Sequence, residues 1–311
     1  MLDAPAKAFF HSLAQISFLQ RMASRYGMAP GSGFARRFIA GESVEEAVVA
    51  VQDLAARGLL LTLDYLGESV ATSAEADAAT RDYLRILDVI VQSGVERNVS
   101  LKLTQLGLDV DRATCVDNLR RILDPATEHG FFVRIDMENS PYTDVTLQIF
   151  ETLWGQGHRN IGVVLQSYLM RTPGDVARMN ALGARIRLVK GAYKEPKAVA
   201  YQDKADVDAA FVELMQLLLD QGVYPAIATH DPEMIEATKR YATQKGYAQD
   251  RFEFQMLYGI RRDLQTALIA EGYRMRLYVP FGKQWFPYFM RRLGERPANV
   301  AFVLKGLFRE K

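Results

Sequence analysis

The chain has 311 residues, 49% hydrophobic and 24% charged, a globular composition that excludes disorder and collagen-like repeats. Lys and Arg total 38 against 37 Asp and Glu, a formal charge of +1, so a polybasic nucleic-acid binder is not expected. One cysteine, Cys115, and four histidines, His11, His129, His158 and His230, provide no intrachain disulfide, no Cys-rich zinc module and no HExxH pair, so no metal is expected.

The chain opens MLDAPAKAFFHSLAQ, where Asp3 interrupts any apolar core, and this does not read as a signal peptide. No apolar run approaches the ~18 residues that span a bilayer. The expected location is the cytoplasm, with peripheral contact at the inner face of the cell membrane left open. Residues 1–58 read as helices, AKAFFHSLAQISFLQRMASRYG and then ESVEEAVVAVQDLAARG, packed on the rest of the chain, because no Pro/Gly/Ser-rich linker intervenes. From Leu59 onward, short runs rich in β-branched residues predict strands over 59–66, 99–106, 131–137, 161–166, 185–190, 224–229, 252–257 and 274–279. Between them lie amphipathic stretches such as AEADAATRDYLRILDVIVQSG and DVDAAFVELMQLLLDQG, with apolar residues at helical spacing and a glycine at the end. This alternation predicts βαβ units and a parallel sheet closed into an α/β (β/α)₈ TIM barrel over 59–311, with 1–311 forming a single domain. An open doubly wound sheet is disfavoured. Gly31-Ser-Gly33 follows no strand and Gly155-Gln-Gly157 lies between a helix and a strand, so neither completes GxGxxG in its required context.

The active site of such a barrel lies at the C-terminal ends of its strands. The polar residues expected there are Asp64 and Glu68 after the first strand, Lys102 and Gln105 on the second, and Asp136 and Glu138 at the end of the third. Gln166 follows on the fourth, Arg187 and Lys190 on the fifth, Thr229, His230 and Asp231 after the sixth, Gln255 on the seventh, and Arg276 and Tyr278 on the eighth. Lys102, Arg187 and Lys190 suit an anionic ligand such as a phosphate or a carboxylate. Any one of them alone reads equally as half of a structural ion pair, but several buried charges on successive strand ends are costly without a function. Strand alternation puts Arg187 and Lys190 on opposite faces, so both reach the mouth only if the strand gives way at the KGAY loop. Beyond the eighth strand, YFMRRLGE places Tyr288 three residues before Arg291 and four before Arg292, on a helix starting near the mouth. Paired guanidinium forks there can hold a carboxylate, or form a solvated face with an Arg291–Glu295 pair. The final stretch, NVAFVLKGLFREK, reads as an amphipathic helix that caps the barrel in preference to one that dips into a membrane surface.

The strings LKLTQLGLD (101–109), RIDME (134–138), LQSYL (165–169), RLVKGAY (187–193), ATHDP (228–232), QMLYG (255–259), R-x-YVPFG (276–282) and YFMRRLGE (288–295) resemble the proline dehydrogenase family, in that family's order and across nearly the whole barrel. The likeness is to the monofunctional bacterial type, because 311 residues do not hold the additional aldehyde dehydrogenase domain of the bifunctional proline utilization A proteins. The resemblance implies a distorted barrel with extra N-terminal helices, a final helix near its mouth, and non-covalent FAD. It implies oxidation of L-proline to Δ1-pyrroline-5-carboxylate by hydride transfer to the flavin N5. Electrons would pass to a membrane quinone, in the first step of proline catabolism to glutamate. Carried over by motif, Lys102, Arg291 and Arg292 bind the proline carboxylate, Asp136 and Arg187 form the active-site pair with Arg187 beside the flavin, and Tyr278 borders the proline ring. Met137, Gln166, Arg187, Lys190, Gly191, Ala192, Thr229 and His230 contact FAD, and Glu68, from LDYLGE, pairs with Arg291 to close the site.

The chain departs from the family pattern in two places. After Glu295 it reads RPAN, where bifunctional relatives carry an Asn-Gly-containing stretch, and the segment from Tyr278 to Arg291 is slightly shorter. Both bear on the path of the last helix. On residues alone two other functions compete: a Schiff-base aldolase using Lys102 or Lys190, and a non-catalytic binding barrel.

Overall fold

The computed structural model describes Met28 and residues 34–295, the last five by backbone alone. The helical stretch expected over 6–27 and the capping helix expected over 299–311 lie outside the described residues.

Helix α1 (Val44–Ala56) begins where the Ser43 side chain accepts from the Glu46 N–H, which satisfies one of the donors that a helix start leaves orphaned. Eight strands come after it: β1 (Leu60–Tyr65), β2 (Asn98–Leu101), β3 (Phe132–Ile135), β4 (Ile161–Gln166), β5 (Arg185–Val189), β6 (Ala226–Ala228), β7 (Glu253–Leu257) and β8 (Met275–Phe281). They pair in sequence order as a closed parallel barrel. The seam runs from Leu60 opposite Arg276 to Tyr65 opposite Phe281. Helices α2 (Ser73–Ser93), α3 (Arg112–Glu128), α4 (Thr143–Gly155), α5 (Thr172–Ala181), α6 (Lys204–Gln221), α7 (Pro232–Lys245) and α8 (Arg262–Ala270) alternate with the strands, and α9 (Trp285–Glu295) follows β8. Local signals set their ends. Thr72 and Glu75 form a reciprocal capping box at α2, Asp111 caps α3 and Asp231 caps α7, while Gly94 and Gly246 end α2 and α7 in the left-handed region. Among the described residues no helix is long and apolar enough to cross a membrane.

Each strand alternates. Leu61, Leu63, Val99, Leu101, Val133 and Ile135 join the helices in one apolar core. The opposite side chains meet inside the barrel: Arg187 on β5 donates to Ser100 on β2 and to Gln255 on β7. The interior is therefore polar at levels where such barrels usually stack branched apolar residues.

The third and sixth strands are shorter than expected, at Phe132–Ile135 and Ala226–Ala228, and the second and eighth also differ. The second ends at Leu101, and Thr104–Leu106 forms a 3-10 turn. The string LTQLG is apolar enough to read as strand, but Thr104 gives its N–H and its hydroxyl to the Glu138 carboxylate, and Gly107 closes the turn at φ 96°. The eighth runs on through Pro280 to Phe281, where it pairs with β1.

Candidate active site

A cavity of about 790 Å³ opens over the C-terminal strand ends. Every residue expected to touch substrate or cofactor whose side chain is described lines it. Arg291 and Arg292 lie on α9 one turn beyond the cavity-lining Pro287 and Tyr288, and their side chains are outside the described residues.

The centre of the cavity is ionic. Asp136, just past β3, accepts from Arg187 Nη1 at 2.8 Å and from the Tyr278 hydroxyl at 2.6 Å. The Arg187 guanidinium lies 5.2 Å from the centroid of the Tyr278 ring. Lys102 sits where β2 gives way, with Nζ 3.4 Å from Asp64 Oδ1 and 3.5 Å from Asp136 Oδ2. Burial alone would lower the Lys102 pKa, but the Asp64 and Asp136 carboxylates outweigh it and hold the ammonium well above its ordinary value. Burial pushes the Asp64 carboxyl up, and Lys102 only partly opposes this. Burial and the same two carboxylates raise the Tyr278 phenol far above its ordinary value, so it stays a hydrogen-bond donor. The cluster thus offers a fixed ammonium between two carboxylates and a fixed guanidinium on one of them, bordered by a flat ring.

The polar groups expected to meet a cofactor form the adjoining wall. The Gln166 side-chain amide donates to the Glu138 backbone carbonyl at 2.9 Å, while the Gln166 backbone carbonyl accepts from the Thr172 hydroxyl at 2.6 Å. β5 ends at Val189, and this is what brings Lys190 to the mouth along with Arg187. Lys190 pairs there with Asp208, and with Asp231 at 2.7 Å. Asp208, Asp231 and Glu233 come close enough together to resemble a cation site, but Lys190 and Lys204 already stand among them. Thr229 accepts the Asp231 N–H at 3.1 Å. His230 Nε2 accepts the Leu257 N–H at 2.9 Å, which puts the proton of the neutral ring on Nδ1 and removes Nε2 as a base. Gly191 has φ 121°, and a Cβ there would lie 2.4 Å from the Tyr168 ring, so only backbone can line the cavity at this point.

Three of the polar residues expected at the mouth are elsewhere. Arg276 is the second residue of β8 and lies at the opposite end of the barrel, bound to Glu253 and Glu96. Gln105 sits on the 3-10 turn and accepts from the Tyr83 hydroxyl, and Glu138 turns to Thr104. Asp64 was expected at the mouth without a role, yet it is the second carboxylate on Lys102. Its two-residue spacing from Thr62, with Leu61 and Leu63 on the other face, is the signal that could have assigned it inward.

The sequence profile of the family described as proline dehydrogenase matches residues 47–305. Proline dehydrogenase 1 of Bacillus subtilis (strain 168) is 44% identical over 301 residues, covering 97% of this chain and 98% of that protein. The proline dehydrogenase of Deinococcus radiodurans is 46% identical over 279 residues, covering 88% and 90%. Among solved structures, proline utilization A from Bdellovibrio bacteriovorus inactivated by N-propargylglycine superposes with a TM-score of 0.78 at 28% identity, over 84% of this chain and 32% of that one. With near-complete coverage by relatives of this similarity, the chain belongs to the proline dehydrogenase family and is an oxidoreductase acting on proline.

Proposed function

We propose that the protein binds FAD non-covalently at the mouth of the barrel and oxidises L-proline to Δ1-pyrroline-5-carboxylate, with a membrane quinone as electron acceptor. The observation that carries this is the Asp136–Arg187–Tyr278–Lys102 cluster in one cavity with the Gly191 loop. The mouth suits such a cofactor. The Gln166 amide, the Thr229 hydroxyl and the backbone at Gly191 and Ala192 supply polar edges, and Val189, Met256 and Leu257 supply apolar walls. Held by these residues, FAD would supply the two-electron acceptor for the hydride lost from proline C5.

The chain's own residues orient and organise. Lys102, with Arg291 and Arg292 from α9, holds the proline carboxylate. Asp136, fixed by its two donors, organises the site, and Arg187 places positive charge where the reaction delivers electrons. Tyr278 offers its face to the ring methylenes. Glu68 at the rim closes the site by pairing with Arg291, and Met137, Lys190 and His230 complete the cofactor wall. The protein works in the cytoplasm and meets its quinone at the inner face of the cell membrane.

The Schiff-base alternative is disfavoured by the electrostatics of Lys102. A nucleophilic lysine needs a lowered pKa, and this one is raised by two carboxylates. The test is direct: the purified protein is denatured and the supernatant assayed for flavin. Stoichiometric FAD is expected, together with proline-dependent reduction of a short-chain quinone and loss of activity on incubation with N-propargylglycine. A colourless protein that still binds no FAD after incubation with excess would overturn the proposal.

A further inference from the structure

Below the active-site cluster the barrel interior holds a continuous hydrogen-bonded line. Arg187 Nε donates to Gln255 Oε1 at 2.6 Å, while its Nη1 is taken by Asp136 and its Nη2 by Ser100 at 3.2 Å. Gln255 Nε2 donates to Glu253 Oε1. Glu253 accepts from Arg276 Nε at 2.8 Å and Nη2 at 3.0 Å, and from the Tyr224 hydroxyl at 3.0 Å. Arg276 also donates to the Leu61 carbonyl at 2.7 Å and to Glu96 at 2.8 Å, and Glu96 accepts the Leu61 N–H at 2.6 Å. Arg187, Gln255, Glu253 and Arg276 are all 5% exposed or less, so water does not compete for these contacts.

We propose that Gln255 and Glu253 are positioning residues that set the Arg187 guanidinium from beneath the active site. The inference rests on the role given to Arg187 under Proposed function. Its physical core is the asymmetry of an amide. Arg187 can only donate and an ionised Glu253 can only accept, so the Gln255 amide has one orientation that satisfies both, carbonyl to Arg187 and NH₂ to Glu253. Burial would raise the Glu253 carboxyl, but Arg276 and the hydrogen bonds overcome this and hold it below its ordinary value, as a permanent acceptor. Glu253 and Gln255 are two residues apart on β7, so the strand presents them to the same interior, one above the other. Arg276 with Glu253 and Glu96 is an ordinary structural ion network at the barrel floor. Gln255 is the link that makes the direction of Arg187 depend on it.

The test uses the FAD-loaded full chain and steady-state turnover of L-proline, with FAD content and thermal midpoint measured alongside. Gln255→Leu removes the acceptor for Nε and is expected to lower kcat/KM about tenfold or more. Most of the fall should be in kcat, because Arg187 holds Asp136 and does not take the substrate carboxylate. In an Arg187→Met background the same change is expected to add less than about twofold, since residues acting as a unit are not additive. The decisive comparison moves the charge. Gln255→Glu alone sets two carboxylates against each other and is expected to lose activity. Gln255→Glu combined with Glu253→Gln restores an acceptor for Arg187 and a donor between the two positions, and is expected to recover activity above either single variant. A merely space-filling role predicts no such recovery, so a double variant no better than the better single one overturns the proposal, including where Gln255→Leu fails to fold. If Arg187→Met turns over proline normally, the assigned role of Arg187 falls. If Arg187→Met is inactive while Gln255→Leu matches the unmodified protein, only the positioning claim falls.

Discussion

Replacing Lys102 with methionine keeps most of the side-chain volume and removes the ammonium lying 3.4 Å from Asp64 and 3.5 Å from Asp136. Asp136 keeps Arg187 and Tyr278, whereas Asp64, only 1% exposed, loses its sole ion-pair partner among the described residues. Breaking a buried pair from one side costs roughly 3–5 kcal/mol. The alternative is to protonate Asp64. From an ordinary carboxylate value of ~3.9 this costs about 4 kcal/mol at pH 7, at about 1.4 kcal/mol per unit, and less for a group already raised. Since burial has raised Asp64, the proton route sets the limit, and a stability loss of about 2–4 kcal/mol at pH 7 is expected. A raised carboxyl contributes stability at low pH that is lost as pH rises through its folded value, so below that value the deficit should shrink by about 1.4 kcal/mol for each unit the pH is lowered, while the folded carboxyl holds a proton that the unfolded chain lacks. Urea unfolding of the unmodified and Lys102→Met proteins at pH 8, 7 and 6 reads this directly, and adding Asp64→Asn should recover most of the loss. A deficit that is constant across that range, or that Asp64→Asn does not relieve, would refute the electrostatic reasoning.

Three other outcomes are expected. Gly191→Ala must hold φ 121° and place a Cβ 2.4 Å from the Tyr168 ring, so FAD affinity, followed by flavin fluorescence, should weaken at least about tenfold while the far-UV spectrum is kept; unchanged affinity would remove the loop from the cofactor wall. Cys115 is fully buried, and burial with nearby carboxylates pushes its thiol up to about 12, so a thiol reagent at pH 8 should label it only after unfolding; rapid labelling of the native protein would contradict this. Glu253 is held below its ordinary value of 4.5, so its stabilising contribution is complete above that value and is lost as pH falls through its lower folded value. Glu253→Gln should therefore unfold at lower urea at pH 7 and lose less stability than the unmodified protein on acidification below 4.5, and parallel pH curves would refute the sign.

The barrel was legible because its strands and helices differ in period, and because capping residues such as Thr72, Asp111 and Asp231 mark helix starts. Position along a strand was less legible. Arg276 and Tyr278 are two residues apart on one face of β8, yet one ends at the floor and the other at the mouth, because where a strand stops depends on what pairs with it. The 3-10 turn after Leu101 depends on Glu138, 34 residues away from Thr104, and no local pattern announces that hydrogen bond. Lys102, Asp136, Arg187 and Tyr278 were singled out as residues, but the bonds that make Asp136 their common point join β5 and β8 to the end of β3 and exist only once the barrel has closed. The line through Gln255 and Glu253 was hidden for the same reason. Each is a polar residue inside an apolar strand, and only the closed sheet brings Arg187 and Arg276 to either end of the pair.

Anaerobic mixing of the FAD-loaded protein with L-proline, followed in the visible flavin band, tests the central claim most directly. Prompt, saturable bleaching with one Δ1-pyrroline-5-carboxylate formed per flavin, and recovery of the band on adding a short-chain quinone, is the predicted result. A flavin band that persists through saturating L-proline, in protein shown to retain its FAD, would contradict the account.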